Sequence, residues 1–322
     1  MDNIKASRQI PYPPILNFSL YAGSMLGVVM LWHSTWWPLV FLCWLPMAHI
    51  GHSMLIALHE AVHFNLSPKR LANEIRGFNI GMVSLIPLSA YRVLHGYHHS
   101  SLASLRDMEL WPYTDTRFPR WARVTVAWLE LFFGYIATPI IFLHGVLCVP
   151  NMTPAIKRRI ILEYAASLLF WATTLTIIHL QGWWMEFLVA YLVPAMLSGM
   201  VQTMRKFTEH MGLLGDGPLT STRSVIHEDL PGEILSASML HVNHHGTHHR
   251  FGKVPYHQLP KETPRAYSGP IEPGPVFRSY RAAFFNMLPT LLDPKIGKQW
   301  TLVENVPQPV DMSQKADDVL VG

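Results

Sequence analysis

The stretch "HVNHHGTHH", residues 241–249, places five histidines in nine positions, and two shorter groups precede it: "HEAVH" at 59–63 and "HGYHH" at 95–99. Neutral imidazole is a good ligand for iron, zinc or copper, so histidines that share a face can hold a metal ion. Helical spacing supplies such faces. His59 and His63 stand one turn apart, and His95, His98 and His99 occupy positions i, i+3 and i+4. "RKFTEHMG" adds His210. The long stretch reads in two registers, His241, His244, His245 or His245, His248, His249, each an H-x-x-H-H. The two cysteines, Cys43 and Cys148, lie in apolar stretches, which leaves nitrogen and oxygen to hold any metal. So many clustered histidines exceed what one four-coordinate zinc uses, which favours a two-metal site. His49, His52, His144 and His179 read as ordinary structural residues.

The elements that must position these groups are apolar helices. Hydrophobic residues make up 50% of the chain and charged residues 14%, a composition for an integral membrane protein and not for a soluble enzyme. Eleven Trp and eleven Tyr suit aromatic belts at the two membrane surfaces. Four stretches reach the length of about 20 residues that a hydrocarbon core requires, at 15–32, 36–58, 160–180 and 183–204. Short links, "HSTW" and "QGWW", pair them into two hairpins. Lys5, Arg8, Lys69, Arg70, Arg76, the 157–159 cluster, Arg205 and Lys206 lie at the opposite ends, which places both termini and every histidine group on the cytoplasmic side. Residues 78–94 read as an interfacial or re-entrant helix. The stretch 121–150, interrupted by Pro139 and holding Glu130, reads as a bent, membrane-embedded excursion that returns to the cytoplasmic face.

The result is one domain over 1–322: an all-α membrane protein with four transmembrane helices in two hairpins, re-entrant or interfacial helices, and a histidine-rich cytoplasmic cap over 205–305 that holds a di-metal site. The tail, 306–322, is polar enough to be loosely ordered. The start of the chain does not read as a cleaved signal. The sequons at 65 and 151 fall on the cytoplasmic side, where they would not be glycosylated. A net charge of +4 suits an anionic lipid surface or an acidic redox partner. No basic run interleaved with aromatics suggests nucleic-acid binding.

With these groups in view, the chain resembles the membrane fatty acid desaturase superfamily, whose members carry three histidine boxes. "HEAVH" looks like the first box and "HGYHH" the second. "SLRDMELWPY" resembles the acidic stretch that often follows the second, and "RKFTEHMG" the segment that supplies one further histidine. The likeness extends over roughly residues 50–260. Family members end their third box in a form like N-Y-H-x-E-H-H-L-F-P-x-V-P-Y-x-x-L-P, and "NHHGTHHRFGKVPYHQLP" follows it from Asn243 to Pro260. That alignment selects His245, His248 and His249 and leaves His241 outside. Thr247, Arg250 and Gly252 depart from the pattern, standing where an acidic residue, an apolar residue and a proline are usual.

The resemblance implies two irons held by His59, His63, His95, His98, His99, His210, His245, His248 and His249, with O2 as co-substrate. Glu60, Asp107 and Glu209 are candidates to orient the rings, and Asn243 to hold a metal-bound water. It implies an oxidoreductase acting on a lipophilic substrate, foremost a desaturase that introduces a C=C bond into a fatty acyl chain. A hydroxylase or ketolase of carotenoid or alkane type is the alternative within the superfamily. No flavin, dinucleotide, heme or iron–sulfur motif is present in the sequence, so an external donor of ferredoxin or cytochrome b5 type is implied. The location implied is a bacterial inner membrane or one like the endoplasmic reticulum. "HEAVH" is also a literal H-E-x-x-H, the signature of zinc metalloproteases, with Glu60 as general base. An intramembrane protease would need one further ligand and would leave the other histidines unexplained.

Overall fold

A computed structural model describes residues 14–268 and 274–304. The tail at 306–322 and the basic residues Lys5 and Arg8 lie outside the described residues. Helices dominate, with one short parallel pair, β1 (Ser224–Val225) beside β2 (Val276–Phe277).

The first hairpin is α1 (Pro14–Trp32) and α2 (Val40–Val62). The bent pair α3 (Arg70–Val83) and α4 (Leu88–Ser100) follows, turning through 98°. Pro87 caps the start of α4 and lacks the N–H that would continue a helix. After α5 (Arg120–Cys148) comes the second hairpin, α6 (Pro154–Gln181) and α7 (Trp184–His210). Thr153 caps α6, accepting from the Ile156 amide at 3.4 Å, and Pro154 sets its first turn. Gly182, at φ 71°, ends the helix in the left-handed conformation that glycine adopts without strain.

Length and apolarity suffice for crossing a membrane in α5, α6, α7 and the helical stretch Trp37–Val62 that contains α2. α1 is an apolar helix of 19 residues. The stretch 121–150, expected as a bent excursion that returns to the same face, is thus a helix long and apolar enough to cross. The reason lies in α5, where Pro139 leaves the helix unbroken and the backbone departs from helical angles instead at Phe133, φ −121°. Near the start of α5, Arg123 donates to the Pro294 carbonyl at 2.8 Å, and Glu130 pairs with Lys206, four residues before His210. Near its end, a Cβ on Gly145 would meet Leu94, the neighbour of His95, at 2.9 Å. Both ends of α5 therefore lie beside elements that carry histidines.

Small residues let the inner helices approach closely, the packing device open to helices in lipid. A Cβ on Gly199 of α7 would lie 2.2 Å from the Tyr135 amide nitrogen of α5, and one on Gly51 of α2 would lie 2.2 Å from the Ser198 hydroxyl of α7. Beneath the histidines, Leu58, Ala61, Leu88, Leu94 and Phe142 pack with Met239 and Leu240. A second core joins Tyr113, Phe207 and Met211 to Met287 and Leu291. The segment after α7 lies over these cores through α8 (Leu230–Ser238), α9 (His245–Arg250), α10 (Leu259–Ala266), α11 (Tyr280–Met287) and α12 (Gln299–Glu304). Arg223 fastens it, donating to the Met211 carbonyl at 2.6 Å.

Candidate metal centre

Each histidine group sits at a helix end for a local reason. His59 lies in the last turn of α2, and His63 caps it just before Phe64 turns left-handed at φ 60°. His95, His98 and His99 occupy the end of α4, and His210 is the last residue of α7. Three helix C-termini, each with partial negative charge, thus converge where cations would bind. The short helix α9 brings His245, His248 and His249 against them.

The nine nitrogen donors separate into two groups. His59, His63, His95, His99 and His248 offer atoms that all lie within 4.8 Å of one another, and so do His98, His210 and His249. His245 joins the second group, its Nε2 lying 2.8 Å from His210 Nε2 and 3.1 Å from His249 Nε2. In the first group His95 and His63 oppose their Nε2 atoms at 2.9 Å, and His99 and His248 at 3.1 Å. The groups are neighbours, with the rings of His99 and His249 stacked at 4.5 Å.

The opposite ring nitrogens face oxygen acceptors. His98 Nδ1 meets Asp107 at 2.9 Å, His95 Nδ1 meets Glu109 at 2.8 Å, His59 Nδ1 meets Glu60 at 3.1 Å and His210 Nδ1 meets the Ser221 carbonyl at 3.1 Å. A proton held on Nδ1 in this way leaves the Nε2 lone pair free for a metal, the pattern of carboxylate–histidine–metal sites. Glu109 is the residue that sequence reasoning missed, although it stands in "RDMEL" beside Asp107. Asp107 also accepts from the Ala103 amide at 2.9 Å, in a turn where Ala103 takes φ 58°.

Glu209 takes a different place from the ring-orienting one expected. It pairs with Arg205, and one of its oxygens lies 3.6 Å from His245 Nε2, the atom that faces His210. It belongs to the donor side, within a possible ligand group with His210 and His245. Asn243 has both ends of its amide engaged, accepting from Ser236 Oγ at 2.7 Å and donating to the Val225 carbonyl at 2.7 Å. These bonds hold the loop that launches α9. His241, left-handed at φ 53°, bonds Ser236 at 2.9 Å, and His244 bonds Thr263 at 2.7 Å; neither enters a group.

The departures from the family pattern have local partners. Thr247 meets the Thr263 hydroxyl at 3.0 Å, Arg250 donates to the Ala266 carbonyl, and a Cβ at Gly252 would lie 3.3 Å from the His99 ring.

Burial sets the charge of the third-box donors and of His63. Removal from water, then neighbouring positive charge, holds His245, His248 and His249 well below the usual histidine value, and brings His63 down to about 4. Burial raises Glu109 from the ordinary carboxylate range. Neutral imidazoles are the form that coordinates. The Nδ1 atoms of His245 and His249 have no hydrogen-bond partner, although both are buried. An all-nitrogen set of this size, with paired lone-pair atoms about 3 Å apart and carboxylates behind several rings, fits two cations of the iron, zinc or copper kind.

No curated protein matches the chain. The family model for fatty acid desaturases matches residues 34–281. The match runs over most of the sequence and takes in all nine grouped histidines, and the chain belongs to the fatty acid desaturase family.

Proposed function

We propose that the protein is an O2-dependent di-iron oxidoreductase that introduces a C=C bond into a fatty acyl chain. The observation that carries this reading is the assembly of nine histidines into two adjacent groups, within a chain of this family. His59, His63, His95, His99 and His248 would hold one iron, and His98, His210, His245 and His249 the other. When bound and reduced, such a pair supplies the activation of O2 that removes two hydrogens from neighbouring carbons, with two electrons and two protons taken up and two waters released.

The residues of the chain orient the donors and keep them dry. Asp107, Glu109 and Glu60 hold ring protons on Nδ1 of His98, His95 and His59, and the Ser221 carbonyl does so for His210. Burial keeps the rings of His63, His245, His248 and His249 neutral. The two electrons come from an external donor of ferredoxin or cytochrome b5 type, docking on the basic face. That face and the histidines lie on the cytoplasmic side of the membrane, a placement supported by the lysines and arginines that flank the helices. The zinc protease reading uses His59 and His63 with one more ligand, fewer donors than the five in their group.

Lipid profiling of cells that express the protein tests the reaction. New double bonds are the expected result; added oxygen with unchanged unsaturation would place the enzyme among the hydroxylases instead.

A further inference from the structure

The helix α8, Leu230–Ser238, differs at its two ends. Its start is charged and open to solvent. Asp229 caps it, accepting from the Gly232 amide at 3.2 Å, Glu233 stands in its first turn, and Glu228 pairs with Arg278 on the surface. Its second half, "ILSAS", carries no charge. Ile234 and Leu235 are nevertheless exposed there, by 61% and 36%, and Leu230 by 69%.

The uncharged end lies against α2, well back from the histidines. Ser53 donates to the Ser238 carbonyl at 2.7 Å. His49 Nε2 donates to the Ser238 hydroxyl at 2.9 Å, and that hydroxyl donates to the Leu235 carbonyl at 2.7 Å. At about 1.5 Å per residue, Ser53 and His49 stand roughly 14 and 20 Å back along α2 from Val62. The apolar stretch Trp37–Val62 is about 39 Å long, roughly 9 Å more than a hydrocarbon core of about 30 Å. Even with all of that excess at the histidine end, Ser53 and His49 lie about 5 and 10 Å inside the core. Ser238, bonded to both, shares their depth.

Backbone at such a depth must satisfy its polar groups within the protein. The last carbonyls of a helix are the ones that its own turns leave open. In α8 all of them are taken. Leu235, Ser236 and Ala237 accept from the amides of Met239, His241 and Leu240 at 3.2, 2.8 and 3.1 Å, and Ser238 accepts from Ser53. Leu240 and His241, left-handed at φ 52° and 53°, turn the chain back at once.

We propose that α8 is inserted in the bilayer, its charged start among the lipid head groups and its end in the hydrocarbon, with Ile234 and Leu235 against acyl chains. The segment after α7, expected as a cap outside the membrane, then has one finger inside it. Ser236 of this finger bonds Asn243 and His241, so a helix held by lipid anchors the loop that launches His245, His248 and His249. The inference concerns lipid contact and stands whichever reaction the centre performs.

Spin-label accessibility tests it on the full chain. In protein carrying Cys43→Ser and Cys148→Ser, a nitroxide is attached at Ile234→Cys, at Leu235→Cys or at Glu228→Cys, and each variant is reconstituted in phosphatidylcholine vesicles. Ile234 and Leu235 are exposed side chains, so the labels displace no core packing, and metal content equal to that of the parent confirms the fold. Oxygen concentrates in hydrocarbon and a nickel chelate stays in water. Labels at 234 and 235 should be relaxed mainly by oxygen, and the label at 228 mainly by nickel. Relaxation mainly by nickel at 234 and 235 would place the helix in water and overturn the proposal. Protection from both colliders would mean that a protein surface covers these residues, and would overturn it equally.

Discussion

The Nε2 atoms of His245 and His210 lie 2.8 Å apart, although the residues stand 35 positions apart in the sequence. Two imidazole lone pairs so placed must share a proton or face a cation. The contact depends on the register in which His245, His248 and His249 form the box. His245→Ala, His248→Ala and His249→Ala should each abolish product formation and lower bound metal, whereas His241→Ala, which loses only the bond to Ser236, should retain both. Product analysis with metal content checks this. Loss of metal in His241→Ala with retention in His248→Ala would reverse the register.

Glu109→Gln tests the carboxylate that orients His95. The amide keeps an oxygen acceptor for the ring N–H and loses the charge that strengthens it. Metal affinity or activity should fall roughly 10- to 100-fold, the usual effect of removing a ligand's hydrogen-bond partner. Titration of metal into depleted protein gives the affinity, and an unchanged value would remove Glu109 from the centre.

Acid should destabilise the metal-free protein. Burial lowers His63 from 6.5 to about 4, so the folded chain refuses a proton that the unfolded chain accepts. This contribution is fully present above pH 6.5 and is lost as the pH falls through that value toward about 4. His245, His248 and His249 shift in the same direction and extend the loss to lower pH. Unfolding midpoints of the metal-free protein in detergent should decline across this window, and a midpoint that rises on acidification would contradict the neutral state of the rings.

Gly199→Ala should destabilise the bundle by about 1–3 kcal/mol, the cost of overpacking a well-filled interior. The added Cβ would sit 2.2 Å from the Tyr135 amide nitrogen, and backbone yields less readily than a side chain. Thermal unfolding of the purified variant measures the effect, and wild-type stability would show that α5 and α7 can separate without cost.

The histidines were legible because helical spacing and hydropathy are local properties. His59 and His63 share a face through spacing alone, and the register of the third box came from the resemblance of the residues after His249 to the family's pattern. Division into two groups was not legible, since it depends on how the ends of α2, α4 and α7 meet α9. Glu109 shows the same limit. Asp107 and Glu109 stand two positions apart, and a turn with Ala103 left-handed gives each its own histidine. The bend of α5 falls at Phe133, beside Gly134, and not at Pro139, which lies within the helix. Glu130, an unexplained charge in an apolar run, meets Lys206 from 76 positions away. His52 reads as an ordinary residue and lies buried outside both groups, yet neither of its ring nitrogens has a partner.

Metal analysis of the purified full-length protein tests the central claim most directly. About two irons per chain is the expected result, with both lost when His98→Ala and His99→Ala are combined, since these neighbours serve different groups. A single zinc per chain and no iron would contradict it.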